Sequence, residues 1–403
     1  MDSRALRVVA DDLTGACDIA AALLPWSSPV LVQSYAGAAA PTEAGLWVRN
    51  TQSRTLAAAD ARRAVGAALA GAAAEQAVVL KKIDTALRGH MGAELDAAID
   101  AAGAAEAFIL LAIPAVSRTT VGGVQLIDGV PVHRTAFAQD PLHPVDRSDV
   151  AAHVERGTAR RCRALLLETI RSPTAMRAAI EQGRRDGCTT FVCDAASDDD
   201  LDQALSVLLE RPRPIVLAGS LGLGHAVRRR LALPAATAPS GIRRSPGPAL
   251  VVVGSAHPAA RRQHQAIDAG AAYVVGDRED ADITGRQAAA TLAGGATAVL
   301  CTPPDVGARD SGRVLEAIAR AVASCVADCR PRRLALVGGE TAHAVLRALG
   351  QPAIRIVTAL EPLIVGGELA GGALAGTPLV TKGGSSGDAG SLARALAWMA
   401  EGR

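Results

Sequence analysis

Leu6-Arg7-Val8-Val9-Ala10 runs directly into Asp11-Asp12-Leu13-Thr14-Gly15-Ala16, a short apolar segment closed by two carboxylates and a Thr-Gly turn. A brief apolar run without strict alternation has the pattern of a buried parallel strand, and the residues after it suit the first turn of a helix. The same rhythm recurs at Val30–Gln33, Val78–Leu80, Phe108–Ile113, Leu165–Leu167, Phe191–Cys193 and Ile215–Ala218. A second series follows at Leu250–Val253, Tyr273–Val275, Ala298–Cys301, Leu334–Val337 and Ile354–Val357. Apolar runs alternating with helix-compatible sequence predict two α/β domains with mostly parallel sheets.

At 403 residues the chain is longer than one hydrophobic core usually grows. Between the two series, Leu233–Pro248 holds prolines at 234, 239, 246 and 248 and shows no apolar periodicity, which reads as a linker. The expected division is therefore 1–232, a linker at 233–248, and 249–403. One break in the rhythm is Val124–Ile127 and Val130–His133 around Asp128-Gly129, a pair that supplies the positive φ angles of a tight hairpin turn. A β-hairpin is expected to project from the first domain. Gly312–Val326 places Val314, Leu315, Ile318, Val322 and Val326 near one face of a 3.6-residue period, as in a core helix.

With 49 % apolar and 20 % charged residues the composition is that of a folded protein, and the 2 % of aromatics leaves the core to Ala, Val, Leu and Ile. A net charge of +2, from 42 basic and 40 acidic residues, argues against nucleic acid or membrane as the main partner. Cysteines at 17, 162, 188, 193, 301, 325 and 329 form no CxxC pair, so neither a disulfide framework nor a zinc site is expected. His90, His143, His225 and His257 also lack metal-ligand spacing, and the metal ligands stay unassigned. No signal-length apolar run is found, which makes a cytoplasmic location the expectation.

Ligands of open α/β sheets bind at the carboxyl ends of strands, where Asp11 and Asp12 lie. The same two carboxylates also suit a plain helix cap. Lys81-Lys82-Ile83-Asp84-Thr85-Ala86-Leu87-Arg88-Gly89-His90 comes off another strand and gathers cations around one carboxylate. It reads either as a grip on an anionic substrate or as an ordinary solvated loop. Arg54 adds a cation after a third strand-like run, and Arg118 opens the polar segment that leads into the hairpin. Asp140-Pro141-Leu142-His143 follows it, either as a closing loop or as ordinary turn chemistry.

Glycine clusters mark the second half: Gly254-Ser255, Gly338-Gly339-Glu340-Thr341-Ala342 and Lys382-Gly383-Gly384-Ser385-Ser386-Gly387. Each follows an apolar run. Glycines let backbone N–H groups approach phosphate oxygens, and a helix N-terminus adds partial positive charge. Neither GxxxxGK[ST] nor a GxGxxG opening a first βαβ unit occurs, which argues against P-loop and standard dinucleotide folds.

Taken in order, these segments resemble the four-carbon acid sugar kinases, whose pattern runs through ADDLTGA, a KKID-S-T-LRGN-x-GAE segment, RTT-x-GG, DPL-x-P, GS, GGET and a KGG stretch. The corresponding residues are Ala10–Ala16, Lys81–Glu94, Arg118–Gly123, Asp140–Pro144, Gly254–Ser255, Gly338–Thr341 and Lys382–Gly387. The resemblance implies ATP-dependent phosphorylation, with Mg²⁺, of the terminal hydroxyl of threonate, erythronate or a 3-oxo-tetronate. It implies a sugar-acid domain at 1–232 and a nucleotide domain at 249–403. For such a reaction Asp12 is the expected base, with Asp84 as the alternative, and Asp11, Arg54, Lys82, Arg88 and Arg118 are expected to bind the acid; the likeness also places the nucleotide. The nucleotide meets Ser255, Gly338, Gly339, Glu340, Thr341, Ala342, Gly383 and Gly384.

Thr85-Ala86 stands where the pattern has Ser-Thr, His90 where it has Asn, Ser385-Ser386 where an aromatic is common, and Ala115-Val116-Ser117 where the loop is longer. These departures leave the particular acid open. The rival readings are a hydroxy-acid oxidoreductase or lyase and a non-catalytic sugar-acid sensor. A homodimer is expected, two-fold association being the commonest assembly of soluble enzymes.

Overall fold

The computed structural model describes residues 6–24, 29–38, 45–140, 143–231, 241–243, 245–255, 257–276, 278–303 and 311–401. Its strands are β1 Leu6–Ala10, β2 Val30–Gln33, β3 Leu46–Asn50, β4 Val78–Lys82, β5 Ala107–Leu110, β6 Arg118–Val121, β7 Val124–Ile127, β8 Val130–Pro131 and β9 Arg161–Leu165. There follow β10 Cys188–Cys193, β11 Ile215–Gly219, β12 Ala249–Val253, β13 Ala271–Val274, β14 Ala298–Cys301, β15 Arg333–Val337, β16 Ala353–Glu361, β17 Ile364–Ala370 and β18 Pro378–Lys382. Two compact units result, one of Met1–Leu23 with Trp47–Ala235, the other of Leu24–Leu46 with Ala236–Arg403.

The units are thus not consecutive in sequence, as a division at 1–232 and 249–403 assumed. The reason is β2, whose apolar Val30-Leu31-Val32 gains its ladder from β16, with Val30 opposite Ile356 and Gln33 opposite Ala353. Most of the linker read at 233–248 lies outside the described residues, as do Pro141 and Leu142.

In the first unit the strands run β3-β1-β4-β11-β5-β10-β9, all parallel. Leu69, Val79, Ile99, Ile109 and Val216 lie in its core, and Phe108 stacks on Phe191 at 5.4 Å between centroids. The helix α1, Leu13–Ala22, is buried along nearly its whole length. The expected strand at Leu165–Leu167 is displaced: β9 ends at Leu165, and Leu167 opens a short helix, Leu167–Ile170.

The expected hairpin is a three-stranded antiparallel sheet of β6, β7 and β8. Asp128 and Gly129, at φ 52° and 75°, turn β7 into β8, and Gly122 and Gly123, at 65° and 74°, turn β6 into β7. It is anchored, because Thr120 and Ala195 exchange backbone hydrogen bonds of 3.0 and 2.9 Å.

In the second unit the order is β13-β14-β12-β15-β18-β17-β16-β2. The strands from β13 to β18 in that order are parallel, whereas β17 and β16 are antiparallel to their neighbours and close the sheet with β2. Val251, Val299, Val337, Val380, Leu392 and Met399 fill the core. The helix Ser311–Asp328 buries Val314, Ile318 and Val322 as its period predicts, with Leu315 and Val326 half-buried beside them.

Candidate functional site

Strand register brings distant sequence together. Ala10 at the end of β1 pairs with Asn50 of β3 and with Lys82 of β4, so Asp11, Thr51 and Ile83 leave the sheet side by side at its carboxyl edge. Arg54 follows in the short turn Ser53–Thr55, whose backbone is tied to β1 by Arg54 N–H donating to Asp11 O at 3.2 Å. The guanidinium then donates to both Asp11 oxygens, at 2.8 and 3.1 Å, and to Asp12 Oδ1 at 2.7 Å. Burial would raise Asp11, but the charge of Arg54 foremost, with Lys81 and Lys82, holds it below the usual carboxylate range.

Asp12 also caps α1, where its Oδ1 accepts from Gly15 N at 3.0 Å and its Oδ2 from Thr14 Oγ1 at 2.6 Å. Asp12 is thus a helix cap, as one of the two readings has it, and it also joins a charge network with Arg54. Gly15 is required by close approach. A Cβ there would lie 2.5 Å from Asp12 Oδ1 and 3.0 Å from Lys82 Nζ, so the ammonium rests against the helix backbone.

Alternation along β4 separates the two lysines. Lys81 turns into the core and pairs with Glu94 at 2.6 Å, whereas Lys82 Nζ donates to Ile83 O at 2.9 Å. Asp84 accepts from Arg88 Nε at 2.7 Å and Nη2 at 3.4 Å, and Arg88 Nη1 reaches Asp140 Oδ2 at 3.1 Å while the guanidinium lies 5.2 Å from the Phe137 ring centre. Burial works to raise Asp84, yet Arg88 first and Arg54 next hold it far below its ordinary value. Arg118 donates to Thr85 Oγ1. Burial draws its guanidinium down from the ordinary value against the opposing charge of Asp84, and it remains a cation.

The first unit thus gathers Asp11, Asp12, Arg54, Lys82, Asp84, Arg88 and Arg118. Two of its cations, Lys82 and Arg118, form no ion pair among the described residues. Asp18, not singled out from sequence, belongs to the same group: it lies on α1, is 8 % exposed, and feels the charges of Lys82, Asp12, Arg118 and Arg54. Burial pushes it up to about 7. The sequence did carry a signal, a single carboxylate in the otherwise apolar stretch Ala16-Cys17-Asp18-Ile19-Ala20-Ala21-Ala22.

The second unit repeats the plan. Val337 of β15 pairs with Val253 of β12 and with Lys382 of β18, so Gly254, Gly338 and Gly383 emerge side by side. A Cβ on Gly254 would strike Thr341 Oγ1, and one on Gly384 would strike the Ser255 side chain. Gly338, at φ 108°, opens the helix Gly339–Ala348 and donates its N–H to Lys382 O at 2.9 Å. Ser255, the Gly339-Glu340-Thr341-Ala342 turn and Gly383-Gly384 are therefore neighbours, with an open helix N-terminus among them. That is a cradle suited to phosphate. Gln263 Nε2 fastens the third turn by donating to Ser386 O at 2.9 Å and Asp388 O at 2.8 Å. Burial lowers Lys382 to about 8, opposed by the charge of Glu361. Among the described residues no group of three or more His, Cys, Asp or Glu side chains is placed to hold a metal ion.

Fold and site define a two-unit α/β protein with a largely buried cluster of charged side chains in one unit and three glycine turns beside a helix N-terminus in the other. Residues 6–227 match the model described as "Sugar-binding N-terminal domain" and residues 250–392 that described as "Nucleotide-binding C-terminal domain". The chain belongs to the four-carbon acid sugar kinase family that these two domains make up. It is 30 % identical to the D-threonate kinase of Salmonella typhimurium over 98 % of both chains. It is 28 % identical to the D-erythronate kinase of Heliobacterium modesticaldum over 84 % of this chain and 83 % of that one. With the 3-oxo-tetronate kinase of Burkholderia multivorans it shares 29 % identity over 89 % of each. A Salmonella typhimurium LT2 crystal structure has the same fold, with a TM-score of 0.78 at 22 % identity, covering 97 % of this chain and 98 % of that one. No helix among the described residues is long and apolar enough to cross a membrane.

Proposed function

We propose that this protein is a phosphotransferase that moves the γ-phosphoryl group of ATP to the terminal hydroxyl of a four-carbon sugar acid. The observation that carries this reading is the pair Lys82 and Arg118, cations without an ion pair in the unit that matches a sugar-binding domain. They take the acid's negative charge, while Asp11 and Asp12 fix Arg54, and Asp84 and Asp140 fix Arg88, in a rigid frame around it. A frame of paired charges orients a small polyol without adding net charge. The relatives named for D-threonate, D-erythronate and 3-oxo-tetronate supply the substrate class.

The glycine cradle receives the triphosphate. At Gly254 and Gly384 the Thr341 and Ser255 side chains pack against bare backbone, and Ser255, Gly338, Gly339, Glu340, Thr341, Ala342 and Gly383 line the cradle. Mg²⁺ fits as an ion carried mainly by phosphate oxygens and water, since Mg²⁺ commonly takes only one or two carboxylates from a protein. When bound, it neutralises charge on the transferred group. We place the reaction in the cytoplasm and the enzyme in a homodimer.

Purified protein with ATP, Mg²⁺ and D-threonate, D-erythronate or a 3-oxo-tetronate should release ADP with at least one of the acids. ADP release from none of them would overturn the kinase reading. Ligand binding without turnover would favour a sensor.

A further inference from the structure

Transfer to a hydroxyl needs somewhere for its proton to go. Of the carboxylates in the first unit, Asp12 is already committed: Oδ1 accepts from Gly15 N and Arg54 Nη2, and Oδ2 from Thr14 Oγ1. Asp84 turns both oxygens to Arg88, at 2.7 and 3.4 Å. The Arg88 guanidinium holds Asp84 far below its ordinary value, which makes it a weak base. The sequence points to these two, but Asp12 is engaged in capping α1 and holding Arg54, and Asp84 in holding Arg88.

Asp18 differs on each count. It lies three residues beyond Gly15 on α1, one turn further along the face against which the Lys82 ammonium rests. Four charged groups act on it, Lys82 at the end of β4, Asp12 at the cap of α1, Arg118 on β6 and Arg54 in the turn after β3, while the helix Leu221–Arg230, which packs on α1, carries His225 bonded to the backbone of Ala22. The residue is 8 % exposed and makes no hydrogen bond or ion pair among the described residues, and its oxygens are not among the fully buried atoms left without a partner. A carboxylate that keeps some exposure and has accepting oxygens without a hydrogen bond can take one from a substrate hydroxyl.

Resting on the kinase reading above, we propose that Asp18 is the catalytic residue that accepts the proton of the attacking hydroxyl. In this step the hydroxyl oxygen bonds to the γ-phosphorus, and the bond from that phosphorus to the β,γ-bridging oxygen breaks. The electron pair leaves on the nucleoside diphosphate, and the hydroxyl proton passes to Asp18. Burial, which lifts the group to about 7 against the charge of Lys82, matches its proton affinity to neutral pH.

The test is steady-state kinetics of wild type and Asp18→Asn with ATP, Mg²⁺ and the best acid of the panel. The variant should lose about 10²–10⁴-fold in kcat with KM for the acid changed less than about threefold. Wild-type kcat should fall as pH drops below about 7, the value to which burial lifts Asp18, and this acid limb should vanish in the variant. A variant kcat within about threefold of wild type, or an unchanged acid limb, overturns the assignment. If Asp18→Asn does not fold, wild type and Asp18→Glu decide, and absence of an acid limb in both overturns it. A wild type that releases no ADP brings down the kinase reading and this assignment together. A wild type that turns over beside an equally active Asp18→Asn brings down the assignment alone.

Discussion

Lys81 and Glu94 form an ion pair inside the first unit, Nζ to Oε2 2.6 Å, with side chains 0 % and 2 % exposed. Lys81 Nζ also donates to Lys82 O at 2.8 Å, whereas Glu94 Oε1 has no partner. Removing one charge from such a pair strands the other in a low-dielectric interior. Glu94→Gln should therefore cost about 3–5 kcal/mol in urea unfolding, and Lys81→Met with Glu94→Leu should regain most of it. Equal stability of wild type and Glu94→Gln would show that the pair does not fasten β4 to its helix.

Lys82, one residue on, should behave in the opposite way. Its ammonium rests on Gly15 and, among the described residues, hydrogen-bonds the Ile83 carbonyl and no carboxylate, so its loss leaves no described carboxylate unpaired within salt-bridge distance. Lys82→Met and Arg118→Ala should each raise KM for the sugar acid by about 10–100-fold, the loss of a charge-assisted contact of about 1.5–3 kcal/mol. KM for ATP should stay within about twofold. An unchanged KM for the acid in both variants would move the carboxylate grip elsewhere.

The contrast between adjacent lysines shows how far sequence reasoning reaches. Residues that follow strand ends, such as Asp11, Lys82, Gly254 and Gly338, are readable because parallel strands deliver their carboxyl ends to one edge. Which charges cancel which is set by side-chain direction and by partners distant in sequence, as in Arg54 with Asp11. The antiparallel β17 was hidden because Gly366-Gly367 interrupts its apolar run, and its pairing with β16 is non-local. At the sheet edge, β9 carries Arg161 and Arg163, so the apolar signal falls one step late. Asp18 was visible as an odd carboxylate, but its isolation is a property of packing.

The second unit offers a steric test. A methyl group on Gly384 would strike the Ser255 side chain, and one on Gly254 would strike Thr341. Gly384→Ala should raise KM for ATP by about tenfold or more while leaving binding of the sugar acid, measured by calorimetry without nucleotide, within about twofold. Adding Ser255→Gly to Gly384→Ala removes the atoms it strikes and should restore the melting temperature of the single variant. If Gly384→Ala binds ATP as wild type does, the third glycine turn does not line the phosphate cradle.

Asp18 carries a cost in stability whose sign follows from linkage. Its folded-state value, lifted to about 7 by burial, lies above the ordinary 3.8, so the native protein holds this proton more tightly than the unfolded chain. The stabilisation is complete below pH 3.8 and is lost as pH rises through about 7, where the buried carboxylate must ionise. Asn keeps the shape and cannot ionise. Asp18→Asn should thus melt a few degrees higher than wild type at pH 8, with the difference shrinking toward pH 5, a pattern expected of a site that gives up stability for activity. Thermal melts of both proteins from pH 5 to 8 check this, and a gap that does not grow with pH would mean that the carboxylate is solvated or paired in solution.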